Sequence, residues 1–108
     1  MRIPLALALP ILLLASGQAL ADWNANASMH AEAIGKSFPF DCAAGGATEA
    51  AVYGSDPYTT DSPVCMAAVH AGKITAAAGG RVTIQIRKGA ASFKGSSRNG
   101  VRTHDWGA

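Results

Sequence analysis

The clearest periodicity in the chain is Arg81–Val82–Thr83–Ile84–Gln85–Ile86–Arg87, where polar and apolar residues alternate without a break. Alternation with period two marks a strand with one buried face, so Val82, Ile84 and Ile86 are expected inward and Arg81, Thr83, Gln85 and Arg87 in water. A second alternation, Phe38, Phe40 and Cys42, predicts another strand. Pro39 lies within it and has no N–H to donate to a ladder, which assigns that strand to a sheet edge. Between the two the pattern becomes helical. Ser62 is a good N-cap, Pro63 suits the first helical position, and Gly72 accepts the left-handed conformation of a C-terminal cap. About two and a half turns fit between these signals. Cys65, Met66, Val69 and His70 fall on one face of that helix, and so short a helix must pack against something else to persist.

Shorter segments complete the pattern. Ala50–Ala51–Val52–Tyr53–Gly54 reads as a short strand delivering Tyr53 toward the core. Lys88–Gly89–Ala90 reads as a turn, Ala91 to Gly95 as a partner strand around Phe93, and Asn99–Gly100 as a tight turn whose residues both tolerate positive φ. Val101–Arg102–Thr103 resumes extended structure before Trp106. Several short strands about one short capped helix predict a single α+β domain.

The first 21 residues have a different character. Arg2 supplies a basic start, Pro4 to Leu14 is almost wholly apolar, and Ala19–Leu20–Ala21 is a small-residue cleavage site, so the segment reads as a secretory signal. Its apolar core is too short to span a bilayer and is interrupted by Pro10. Nothing later is apolar enough to do so. An exported protein, periplasmic or secreted, is expected to begin at Asp22, with Asp22 to Ile34 a flexible leader and residues 35–108 the folded domain. Export also places Cys42 and Cys65, the only two cysteines, where a disulfide persists. The bridge would close a loop of 24 residues, for which loop-closure entropy gives roughly 3 kcal/mol.

Charge changes the picture further. Residues 22–72 carry six carboxylates against one lysine, a net −5, whereas residues 73–108 carry seven cations against one carboxylate, a net +6. Either the two halves complement each other or the basic half offers a surface to an anionic ligand. The candidate surface is Arg87, Lys88, Lys94, Arg98, Asn99 and Arg102, a mix of cations and an amide suited to phosphates or sugars. Nucleic acid is not expected, since export removes the usual partner.

The sequence argues against several chemistries. Gly79–Gly80 precedes a strand instead of following one, the wrong order for a phosphate loop. His30 and His104 lie far from the helix that carries His70, so no metal-ligand set and no cofactor is expected. A triad would need a free nucleophile and an orienting carboxylate, and the candidate thiol is expected in a disulfide. His70 is therefore expected to be a hydrogen-bonded core residue, with no catalytic residues and no enzyme activity.

Tyr58-x-x-x-Ser62-x-x-Cys65-x-Ala67-Ala68-x-His70-x-Gly72-x-Ile74 is followed by Gly79-Gly80-x-Val82-Thr83-Ile84. Then come Phe93-x-Gly95-Ser96-x-x-Asn99-Gly100-Val101 and Trp106. In that order, from about Gly35 to Trp106, these residues resemble the LCCL domain. The resemblance implies a central helix held between small antiparallel sheets, with Tyr58, Ser62, His70 and Gly72 as structural motif residues. It also implies a non-enzymatic binding or adhesion module, of a family linked to recognition of lipopolysaccharide. The expected ligand is thus lipopolysaccharide or another anionic envelope polysaccharide, glycan or lipid. The alternative is a small envelope-associated structural or protein-interaction domain with no small ligand. The chain departs from the family in having two cysteines where many animal members have four, and in lacking the apolar strand that usually follows the position of Trp106. Either a sheet edge is left open there, or it pairs with another chain as a protein partner, or the sequence is cut short.

Overall fold

The structure is a computed structural model that describes residues 22–107. The secretory segment and its cleavage site near Ala21 lie outside the described residues. Among the described residues the domain is α+β: one short α-helix, α1 (Val64–His70), a 3-10 turn at Ser28–His30, and three two-stranded antiparallel sheets. The first pairs β1 (Ser37–Cys42) with β2 (Gly80–Gln85). The strands β3 (Ser92–Phe93), β4 (Ser97–Arg98), β5 (Val101–Arg102) and β6 (Trp106–Gly107) form the other two, β3 with β6 and β4 with β5.

The alternation read in β2 places Val82 and Ile86 in the core, with Ile84 partly buried against it. Fully burying a side chain of this size contributes about 1.5–3 kcal/mol. The partner of β2 differs from the expectation. It is β1, with Phe38 opposite Ile84 and Phe40 opposite Val82, and not the segment around Phe93. The two apolar alternations stack on one face when β1 and β2 pair. Phe93 instead pairs with Trp106.

Helix α1 is buried on nearly all sides: Val64, Cys65, Ala67, Ala68, Val69 and His70 are in the interior and only Met66 is partly open. Its C-terminal stop is as expected. Gly72 has φ +80°, its N–H donates to Val69 O, and that of Lys73 donates to Ala68 O, both at 2.9 Å. This is the Schellman pair of bonds, which satisfies carbonyls left over at the helix end. The N-terminus is different. The cap position is Pro63, with no side-chain bond. Ser62 Oγ is turned away from the helix to accept from Tyr53 N at 2.9 Å. The hydroxyl thereby ties the segment before the helix to residue 53, a bond between distant positions that local capping rules do not contain.

The leader is likewise folded in. Trp23 and Ala27 are 5% and 4% exposed and belong to the core cluster, and Trp23 Nε1 donates to Ala43 O at 2.9 Å. Residues 22–34 are thus not a detached segment, because an indole has enough apolar area to hold a chain otherwise rich in alanine and polar residues. Residues 50–54 make no ladder: Tyr53 forms an isolated parallel bridge with His104, and Gly54 an isolated antiparallel one with Tyr58. Val52, at 2% exposure, is the core residue of this stretch, while Tyr53 is only partly buried. The Asn99–Gly100 turn joins β4 to β5 with φ +52° and +78°, the pair of positive values that a two-residue hairpin of this hand requires. A disulfide joins Cys42, at the end of β1, to Cys65 in α1.

Candidate functional site

His70 has no exposed surface. Its Nδ1 lies 2.8 Å from the Tyr58 hydroxyl, and its Nε2 lies 3.3 Å from Ser96 O and 3.1 Å from Ser96 Oγ. With the proton on Nε2, that nitrogen donates to Ser96 O, since a carbonyl can only accept, and Nδ1 accepts from the Tyr58 O–H. Burial pushes the Tyr58 phenol above its ordinary pKa, and the Asp56 charge adds to this while Arg98 opposes it. The phenol therefore keeps the proton that the imidazole accepts. Both ring nitrogens are engaged, and the thiol of Cys65 is in the disulfide. The arrangement locks α1 to the loop carrying Tyr58 and to the start of β4. Among the described residues, no cluster of three or more His, Cys, Asp or Glu side chains could hold a metal ion.

The six residues read from the sequence as a ligand surface are all exposed but do not form one patch. Arg87 and Lys88 follow β2 and line a groove of 620 Å³. Arg98 and Arg102 are on the β4–β5 hairpin, where Arg98 pairs with Val101 and Arg102 with Ser97. Paired residues share a face and neighbours along a strand do not, so the two arginines point to opposite sides. Arg102 lines a smaller polar hollow of 340 Å³ with Ser97, His104 and Asp105. The Asn99 side-chain amide donates to His70 O at 2.8 Å, a use internal to the fold. One salt bridge is present among the described residues, Arg81 to Asp41 at 2.7 Å. The bond from Arg81 holds the Asp41 carboxyl below its ordinary pKa. Lys73, Arg87, Lys88, Lys94, Arg98 and Arg102 make none, so the acidic and basic halves do not neutralise each other pairwise.

The groove was not visible in the sequence. One wall is a stripe of α1 and its cap, Val64, Ala67, Ala68 and Ala71, and the other is the chain from Val82 to Gly89. Phe93 and the half-exposed Trp106 also line it. Lys73 joins Arg87 and Lys88 on its lining, and Asp56 and Asp61 lie there too. The helical spacing of the three alanines was the available signal, but small residues read equally well as close packing.

The sequence model of the LCCL domain matches residues 20–108. The chain belongs to the LCCL domain family. Two curated relatives, vitrin from Bos taurus and vitrin from Homo sapiens, are each 42% identical to it over 52 residues. That stretch is 48% of this chain and 8% of each vitrin, so the chain spans a small fraction of the relatives it matches. No solved structure matches it. Membership in the LCCL family supports a binding or adhesion type of module. Within this LCCL domain, Tyr58, His70 and Gly72 serve the packing and termination of α1, while the exposed cations and the groove are the surfaces left for a partner.

Proposed function

We propose that this LCCL domain is a non-catalytic, exported binding module for an anionic envelope component, lipopolysaccharide or another acidic glycan or lipid. The observation that carries the reading is the set of unpaired cations. Six of the seven cations in residues 73–108 make no salt bridge among the described residues, so their charge is available to an outside partner. Lys94 and the oppositely directed Arg98 and Arg102, on and beside the β4–β5 hairpin, are the central contacts, and Arg87 and Lys88 offer a separate basic surface after β2. The hollow beside Arg102, walled by Ser97, His104 and Asp105, offers hydroxyl, imidazole and carboxylate groups that suit a sugar. Export fits the secretory pattern of residues 1–21, with cleavage near Ala21. Among the described residues no helix is long and apolar enough to cross a membrane.

Titration with lipopolysaccharide over a salt series tests this reading. Affinity should fall steeply as salt rises, and Lys94→Glu with Arg98→Glu should weaken it further. Binding unchanged by that charge reversal would overturn it. The alternative, a protein-contact domain with no small ligand, draws on a different feature, the groove beside β2.

A further inference from the structure

Ile86 has both main-chain groups bonded toward β1: its N–H donates to Lys36 O at 2.9 Å and its carbonyl accepts from Gly35 N at 2.8 Å. Successive residues of a strand direct their main-chain groups to opposite sides. Ile84, Val82 and Gly80 therefore face β1, while Gln85, Thr83 and Arg81 turn theirs the other way. Among the described residues β1 is the only strand paired with β2, so these three residues present a row of unpaired donors and acceptors. The same parity on β1 turns Ser37, Pro39 and Asp41 outward, and Pro39 has no N–H to offer. The free edge of β1 is interrupted at its centre. That of β2 is continuous.

The edge borders the groove. Every residue from Val82 to Gly89 lines it in succession, whereas a groove on a sheet face would meet only alternate residues. Across from the edge stands the α1 stripe, whose alanine side chains are too short to fill the space. We propose that this slot takes an extended peptide segment of a partner protein, added to β2 as a third strand. Main-chain bonds to Thr83 and Gln85 within the slot, and to Arg81 just beyond its lining, supply the affinity, and apolar side chains at every second position pack toward α1. Arg87 and Lys88 continue the line of β2 along the groove without an ion-pair partner, and they select an acidic residue at the end of the segment. Asp56 and Asp61 share the lining, so a single acidic position is favoured over a run of them.

A second copy of this chain fits less well, because each copy's α1 wall stands beside the edge that the other must reach. The inference shares Arg87 and Lys88 with the anionic-polymer reading but not its central contacts, since Lys94, Arg98 and Arg102 lie outside this groove.

The test uses the disulfide-bonded protein and two blocked hexapeptides alternating valine and threonine, one ending in aspartate and one in lysine. Amide exchange is followed by NMR. In the free protein the N–H groups of Thr83 and Gln85 should exchange quickly and those of Val82 and Ile84 slowly. The aspartate peptide should protect Arg81, Thr83 and Gln85, and should bind more tightly than the lysine peptide. Arg87→Glu with Lys88→Glu should reverse that preference. Thr83→Pro removes one outward donor without touching the bonds to β1 and should weaken binding about tenfold. Ala71→Phe fills the slot from the other wall, leaves the edge intact and should abolish binding. Lys94→Glu with Arg98→Glu should leave peptide binding unchanged, which separates this result from that of the anionic reading. Failure of both peptides to bind, binding without protection of Thr83 and Gln85, or protection already present in dilute free protein would overturn the proposal. Protection that rises with protein concentration alone would assign the edge to a second copy, and would overturn it as well.

Discussion

The side-chain amide of Asn99 donates a hydrogen bond to the main-chain carbonyl of His70 at 2.8 Å. A residue at the tip of the β4–β5 hairpin thereby satisfies a carbonyl in the last turn of α1, one of the groups that every helix leaves without an internal partner. The same Asn99 holds φ +52°, a conformation that asparagine accepts more readily than most residues.

Replacing Asn99 therefore has two separable effects. Asn99→Gly keeps the turn and loses the bond to His70, and should cost about 1 kcal/mol. Asn99→Ala loses the bond and also strains the turn, and should cost about 1–2 kcal/mol more. Urea melts of the two variants check this, with the difference between them giving the turn contribution.

Tyr58→Phe leaves His70 Nδ1 buried without its donor while keeping the ring that packs edge-on against the imidazole. The expected loss is about 1–3 kcal/mol, the usual cost of a buried group left unsatisfied. A melting curve indistinguishable from that of the natural protein would show that the imidazole has another partner.

Trp23→Ala should destabilise the domain by about 3–5 kcal/mol, the range for deleting a large buried ring. Gly46 faces that indole so closely that a Cβ there would overlap it, so Gly46→Ala should also destabilise. If removal of residues 22–34 left the melting temperature unchanged, the leader would be dispensable to the core after all.

Tyr58 and Asp41 set opposite limits on stability with pH. Burial raises the pKa of the Tyr58 phenol in the folded state, so the folded form holds its proton more tightly than the unfolded form. Its contribution is complete below the unfolded value, about 10, and is lost as pH rises through the folded value. Asp41, held low by the bond from Arg81, contributes above its unfolded value of about 3.9 and loses that contribution as pH falls through the folded one. Melts at high pH should therefore show a fall that Tyr58→Phe removes. Melts at low pH should show one that Arg81→Gln reduces.

Reduction of the Cys42–Cys65 bridge should cost roughly 3 kcal/mol, the loop-closure value for a loop of this length. Free-thiol labelling of the unreduced protein should find no reactive cysteine. Chemical melts with and without reductant measure the difference.

Local rules acted on contiguous residues, and there the sequence was sufficient. The alternation of β2, the alternation of β1 around Pro39, the stop of α1 at Gly72 and the Asn99–Gly100 turn all follow from side-chain period and main-chain freedom within a few residues. The cysteine pairing followed from there being only two. What tertiary structure decided were choices among alternatives that local energies leave nearly equal. The apolar face of β2 could have met either Phe93 or Phe38 and Phe40, and the longer matched ladder with β1 prevailed. Ser62 could have capped α1, but its hydroxyl bonded Tyr53 from nine residues away. Trp23 looked like part of a polar leader until a site was formed for its ring. The candidate surface was divided for the same reason. Arg98 and Arg102 are close in sequence, yet the hairpin register sends them to opposite faces, and the groove arises only where a free strand edge and a row of alanines, distant in the chain, come to face each other.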